Sequence, residues 1–187
     1  MSDKPETQQA DAGTPKPSLL FDAIDVVLTA AVVGMLVFLF VIRTVGVIGS
    51  SMEQTLIEGD RLLISSMFYQ PKQGDIVVVR KLTYKNDAIV KRVIALEGQT
   101  VDIDFDAGVV YVDGVALEEP YTNTPTNLRE DFVGPVTVPE NCVFVMGDNR
   151  NRSTDSRTAS IGCVDTRYIV GHALFRIFPL SKFGKVE

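Results

Sequence analysis

The stretch GSSMEQTL, residues 49–56, sets two hydroxyls, Ser50 and Ser51, between a long apolar run and a methionine. A serine hydroxyl becomes a useful nucleophile only beside a base that takes its proton. The single histidine, His172, stands in IVGHALFRIF, an apolar strand-like setting, and the chain lacks a G-x-S-x-G elbow. His172 therefore reads as a structural residue. The other candidate base lies in AIVKRVIAL, residues 88–96, where Lys91 and Arg92 interrupt a run of β-branched residues. Neighbouring side chains of a strand point to opposite faces, so one of these two cations faces inward or sits at an edge. An inward lysine loses hydration, which disfavours its charged form and lowers its pKa. At an unperturbed pKa of about 10.4 roughly one lysine in 2,500 is neutral at pH 7, whereas a drop of about three units makes it a competent base. Such a lysine can activate a serine without histidine.

A third stretch, MGDNRNRSTDSR at 146–157, combines Arg150, Arg152 and Arg157 with Asp148 and Asp155. It is a polar loop unless it folds back against the serine and the lysine. Asp102, Asp104 and Asp106 alternate in a way that suggests a calcium loop, but the sixth and twelfth places of such a loop hold Ala107 and Asp113. A strand with Val101, Ile103 and Phe105 inward and the aspartates outward accounts for the pattern better. Cys142 and Cys163 are too far apart for a C-x-x-C pair, and one histidine leaves no Cys/His cluster, so neither a metal site nor a cofactor is expected. A bridge between the cysteines would close a loop of about twenty residues, worth roughly 3 kcal/mol by chain entropy. Two buried thiols acting as small hydrophobes are the alternative, and spacing does not choose between them.

These groups must be held by the rest of the chain. Its 187 residues, 45% hydrophobic, suit one domain with appendages, and a net charge of −6 speaks against a nucleic-acid partner. Residues 1–18 are polar and proline-rich and are expected to be disordered. Val26 to Ile42 carries no charge, and Leu19 to Ile24 extends it, so a transmembrane helix is expected over 19–43. The apolar core is too long for a secretory leader, and Asp22 and Asp25 precede it. Lys4 and Lys16 before the span and Arg43 after it set no orientation. Over 44–187, GDIVVVRK (74–81), AIVKRVIAL (88–96), TVDIDF (100–105), GVVYVDG (108–114) and CVFVMGD (142–148) are short β-branched runs between turn residues. They predict a mainly β body of hairpins, interrupted by a proline-bearing surface excursion over 118–141.

Taken in order, the span, GSSMEQTL, GDIVVV, VKRVIALEG and MGDNRNRSTDSR resemble the sequence boxes of type I signal peptidases, membrane-anchored bacterial proteases that remove signal peptides from exported proteins. The resemblance runs from about residue 22 to about residue 179, and the last box is long and specific. It implies an extracytoplasmic β-domain of antiparallel sheets tethered by one N-terminal transmembrane helix. It also implies a single-pass topology in the bacterial cytoplasmic membrane, tail inside and catalytic domain outside. Ser51 matches the nucleophile and Lys91 the general base, with Ser50 a bystander. Gly49 matches a position that assists the oxyanion hole, here without a side-chain donor. Ser153 matches a serine that hydrogen-bonds the lysine, and Asp155 with Arg157 a structural ion pair. The implied partners are signal peptides of preproteins, the lipid bilayer and, by proximity, the secretion translocon.

Substrate would bind as an added strand with small residues at the first and third positions before the cut. Val45, Val47, Met52, Leu56, Ile89 and Val90 are the expected walls of the shallow pockets. The chain departs from the family's pattern at Gln54, where proline is frequent, and after Arg157, where TASIGCVD replaces an aromatic-glycine step. A self-cleaving repressor-type protease also uses a Ser-Lys pair, but a membrane span occupies the place of its DNA-binding domain. A tethered β-domain that binds peptides without cleaving them is the remaining alternative, and turnover of a preprotein separates the three.

Overall fold

The computed structural model describes residues 19–80 and 88–186, with backbone alone over 37–41. The tail expected to be disordered, 1–18, lies outside the described residues. Helix α1, Leu19–Val41, has 23 residues. At about 1.5 Å per residue it is long enough to cross a hydrocarbon layer of roughly 30 Å. None of the side chains from Leu19 to Leu36 is buried, although the segment carries no charge after Asp25. An apolar helix with no protein around it is suited to lipid. The helix stops short of the expected residue 43, because Ile42 and Arg43 already pair with Ser65 and Ile64 in a strand. β-branched Ile42, Thr44 and Val45 favour that ladder over a further helical turn.

The strands belong to one compact unit that begins at Phe38. It opens with β1 (Ile42–Gly46), β2 (Arg61–Ser65), β3 (Ile76–Arg80) and β4 (Ala88–Leu96). Next come β5 (Thr100–Asp104), β6 (Val109–Val112), β7 (Val115–Ala116) and β8 (Val136–Thr137). The last strands are β9 (Cys142–Met146), β10 (Val164–Asp165), β11 (Ile169–Phe178) and β12 (Gly184–Lys185). A larger sheet has the order β1-β2-β11-β3-β4-β9-β10 with β12 beside β11, and a smaller one the order β7-β6-β5-β8. The pairings in both are antiparallel. Each expected run carries a strand. β1 and β2 fall outside those runs, since IRTVG abuts the apolar span and RLLIS is short.

The centre of the larger sheet is covered on both faces. Ile76 and Val78 of β3 join a cluster with Val47, Met52, Leu56 and Val90, while Val77 and Val79 join another with Val93, Val145 and Ile161. A third cluster, built on Ile94, Val101, Val110, Phe132 and Phe144, fastens the smaller sheet to the larger, and both cysteines pack at its margin. In β5, Val101 and Ile103 are buried and Asp102 and Asp104 exposed, as the alternation predicts. Asp104 closes the following turn by accepting from the amides of Asp106 and Ala107 at 3.0 and 2.9 Å.

The excursion over 118–141 is less superficial than expected. Thr126, Phe132 and Val138 are buried in it, and β8 adds to the edge of β5. Phe132 supplies the anchor, meeting the edges of Phe105 and Phe144 at centroid distances of 5.8 and 6.0 Å.

Candidate active site

The serine lies in a loop pinned at its base. The amide of Val47 donates to the Asp60 carbonyl at 2.8 Å, and that of Gly59 to the Val47 carbonyl at 3.0 Å. Gly49 takes φ +82, a left-handed conformation open to glycine at little cost. Beyond it Met52 and Leu56, both buried, drive the turn into the first core cluster and leave Ser51 half-buried above it. The loop over 147–157 holds the turn from the other side. Asn149 donates from its backbone to the Ser51 carbonyl and from its side chain to the Ser50 carbonyl, each at 3.0 Å.

Gly147 explains how the two segments come so close. A Cβ there would stand 2.2 Å from Ser153 Oγ and 2.4 Å from the Ser51 carbonyl oxygen, so only glycine fits.

β4 brings the lysine. Lys91 is 2% exposed, and its Nζ donates to Ser51 Oγ at 2.6 Å. Burial pushes its pKa down from 10.5 to about 8, against the carboxylates of Asp155 and Asp148, which favour the ammonium; Arg157 adds to the lowering. Arg92 is equally buried, so both adjacent cations turn inward where strand alternation alone requires one of them to do so or to lie at an edge. The reason is the double cover of the sheet: Lys91 lies opposite Val77 and Arg92 opposite Ile76, and these belong to different clusters.

The two cations differ in their partners. Arg92 forks onto Asp148, with Nε to Oδ1 at 2.9 Å and a terminal nitrogen to Oδ2 at 2.7 Å, and its face lies 3.9 Å from the Tyr121 ring centroid. Arg157 forks onto Asp155 at 2.9 Å, and Arg150 onto Glu119. Asp155 also accepts from the Gly147 amide at 3.1 Å, and Asp148 from Thr55 of the serine turn. Every fully buried arginine and carboxylate among the described residues is thus in an ion pair; the buried lysine has none. A charge held in the interior without a counterion is costly, so burial shifts the balance at Lys91 toward the neutral amine.

The expected site residues are brought together with two qualifications. Ser51 meets Lys91, the Asp155–Arg157 pair is tied to Gly147 beside them, and Gly49 shapes the turn. Ser153 is buried beside Gly147, yet its hydroxyl makes no hydrogen bond to Lys91 or to any other described group. Val45, Val47, Met52, Leu56 and Val90 share one cluster, whereas Ile89 packs with the cluster on the opposite face. His172 bonds the Ser65 carbonyl through Nδ1 at 3.0 Å and stacks on Tyr69, with no hydrogen bond to Ser51. Residue patterns do not single out Gly147, Asn149 or Thr55, and they name Arg92 and Asp148 without pairing them. The density of arginine and aspartate directly after the apolar strand CVFVM was the available signal.

The family model described as signal peptidase, peptidase S26, matches residues 20–178. The probable signal peptidase I-1 of Synechocystis sp. is 39% identical over 173 residues, which cover 87% of this chain and 85% of that protein. Signal peptidase I of Bacillus licheniformis is 36% identical over 188 residues, covering 95% of this chain and 98% of its own length. Signal peptidase I T of Bacillus subtilis is 32% identical over the whole of both chains. With a match over most of its length and relatives this similar, the chain belongs to the signal peptidase family, peptidase S26.

Proposed function

We propose that the protein is a membrane-tethered serine endopeptidase of the signal peptidase I type, in which Ser51 attacks the peptide bond and neutral Lys91 is the general base. The observation that carries this reading is the 2.6 Å contact between a hydroxyl and a buried lysine that has no counterion. In the neutral state the Ser51 hydroxyl donates to the Nζ lone pair. Nζ takes the proton as Oγ bonds to the scissile carbonyl carbon, and the ammonium then gives a proton to the departing amine. Water, deprotonated by the same amine, releases the acyl group. No hydrogen bond occupies the Ser51 amide among the described residues, so this N–H can donate to the oxyanion. Gly49 brings no hydroxyl to that hole, which leaves backbone donors to supply it.

Edge strand β1 leads toward Ser51 and has an open side on which an extended signal peptide can add as a further strand. Val45 and Val47, over a floor of Met52, Leu56 and Val90, favour small side chains at the first and third positions before the cut. Ile89, on the other face, is left out of this pocket. We place the β unit on the outer side of the bacterial cytoplasmic membrane, near the translocon, with residues 1–18 inside. Helix α1 then raises the effective concentration of the site at the bilayer where signal peptides reside. Full-length protein in detergent, given a preprotein, should cleave once at the signal junction, and Ser51→Ala and Lys91→Met should each abolish cleavage without unfolding. Substantial turnover by the Lys91→Met variant overturns the assignment, and peptide binding without any turnover favours the non-catalytic alternative. Protease added outside spheroplasts should degrade the β unit, and protection of that unit would reverse the topology.

A further inference from the structure

In the proposed reaction the backbone N–H of Ser51 meets the charge that develops on the carbonyl oxygen, with no hydroxyl from Gly49 to share the task. That N–H belongs to the same peptide unit as the Ser50 carbonyl. The unit is trans, so its oxygen and its hydrogen point in opposite directions. Whatever grips the oxygen therefore aims the hydrogen. Two donors grip it: the Glu53 amide at 3.2 Å, which closes the serine turn, and Asn149 Nδ2 at 3.0 Å, which arrives from a segment 99 positions away. Facing a carbonyl oxygen, only the NH2 end of the Asn149 amide can make this contact.

Local structure offers this side chain another use. Asn149 stands directly before the short helical turn Arg150–Arg152, at the cap position where an asparagine oxygen ordinarily accepts from the first amides, and it makes no such bond. It turns to Ser50 instead, while its own amide donates to the Ser51 carbonyl at 3.0 Å. One residue thus holds both peptide units that flank the Ser51 Cα, the earlier one by side chain and the later one by main chain. Its neighbours Asp148 and Arg150 are buried and ion-paired, so Asn149 is itself fixed on both sides. We propose that the Asn149 side chain is a positioning residue for the oxyanion donor, aiming the Ser51 N–H at the developing charge and polarising the peptide unit that carries it. This inference rests on the peptidase reading above. A donor on the carbonyl draws electron density from the amide nitrogen, and hydrogen bonds linked in this way strengthen one another. The gain arises once the scissile carbon is tetrahedral, so it lowers the barrier more than it tightens binding.

The test uses full-length protein in detergent, a preprotein, and two peptides that end at the cut: an aldehyde, to which Ser51 Oγ adds as a tetrahedral hemiacetal, and the corresponding alcohol, which cannot be attacked. Asn149→Ala should lower kcat about tenfold with KM within about twofold, a smaller loss than the roughly 10²–10³-fold carried by an oxyanion donor itself. Affinity for the aldehyde should fall by the same factor, and affinity for the alcohol should stay at the native value. The pH profile of Asn149→Ala should keep its midpoint near 8, because Lys91 is untouched. Asn149→Asp has the same shape without the donor and should be no more active than Asn149→Ala on the alkaline plateau. Should the alanine variant not fold, the isosteric one carries the same comparison of aldehyde with alcohol. A kcat within twofold of native in Asn149→Ala, a displaced midpoint in that variant, native activity in Asn149→Asp, or equal losses of affinity for aldehyde and alcohol each overturn the inference. Failure of the peptidase reading is told apart by Ser51→Ala, which would then still cleave the preprotein; with Ser51→Ala inactive, those outcomes count against Asn149 alone.

Discussion

The two sheets treat charge in opposite ways. In the smaller sheet β5 alternates, with valine and isoleucine inward and Asp102 and Asp104 in water, so each charge keeps its hydration. In the larger sheet β4 is buried from Val90 to Ala95 on both faces, and the charges of Lys91 and Arg92 are buried with it. Arg92 is compensated by a forked carboxylate and Lys91 only by the Ser51 hydroxyl. Two adjacent cations in one strand therefore have different protonation chemistry. The smaller sheet contributes packing; the larger one contributes a reactive amine.

The sharpest separation of the sheets is catalytic. Lys91→Met should lower kcat by about 10²–10⁴-fold or more, the ordinary contribution of general base catalysis, and leave the thermal midpoint unchanged or raised. Asp148→Ala strands Arg92 and should destabilise the β unit by about 3–5 kcal/mol in denaturant unfolding. Gly147→Ala forces a methyl group against Ser51 and Ser153 and should cost about 1–3 kcal/mol, with kcat falling more than KM changes.

The pH profile sharpens the comparison further. With Lys91 near 8, kcat/KM should rise about tenfold per unit below that pH and level off above it. The unfolded lysine titrates near 10.5, so between about 8 and 10.5 the unfolded chain binds more protons than the folded one. Stability gained from this group therefore rises with pH across that window, and Lys91→Met should flatten the rise. Asp102→Asn in the smaller sheet should change neither rate nor stability by more than about 0.5 kcal/mol. A pH-dependent loss of activity in that variant would remove the distinction between the sheets.

Much of the fold was legible because it depends on local pattern. The charge-free run over 26–42 announced α1, and the β-branched runs announced β3, β4, β5, β6 and β9 within a residue or two of their bounds. β1 was hidden because its residues continue the apolar character of the span. Phe132 was hidden because prolines at 120, 125, 135 and 139 make its segment read as surface. At the site, the residue types alone left Ser50 and Ser51 equivalent and did not say which of Lys91 and Arg92 faces inward. The family resemblance ordered them, and it also implied a Ser153 hydrogen bond that this structure does not contain.

By itself the sequence determined an apolar helix, a mainly β body and the side chains able to perform serine–lysine chemistry, since these follow from composition and from periodicities of a few residues. Only the tertiary structure decided which cation is compensated, because Asp148 meets Arg92 across 56 positions of chain and Ser51 meets Lys91 across 40. Burial of both faces of β4 is likewise a property of packed layers. An amine loses its proton according to the water it has lost, and that loss is set by residues distant in the chain.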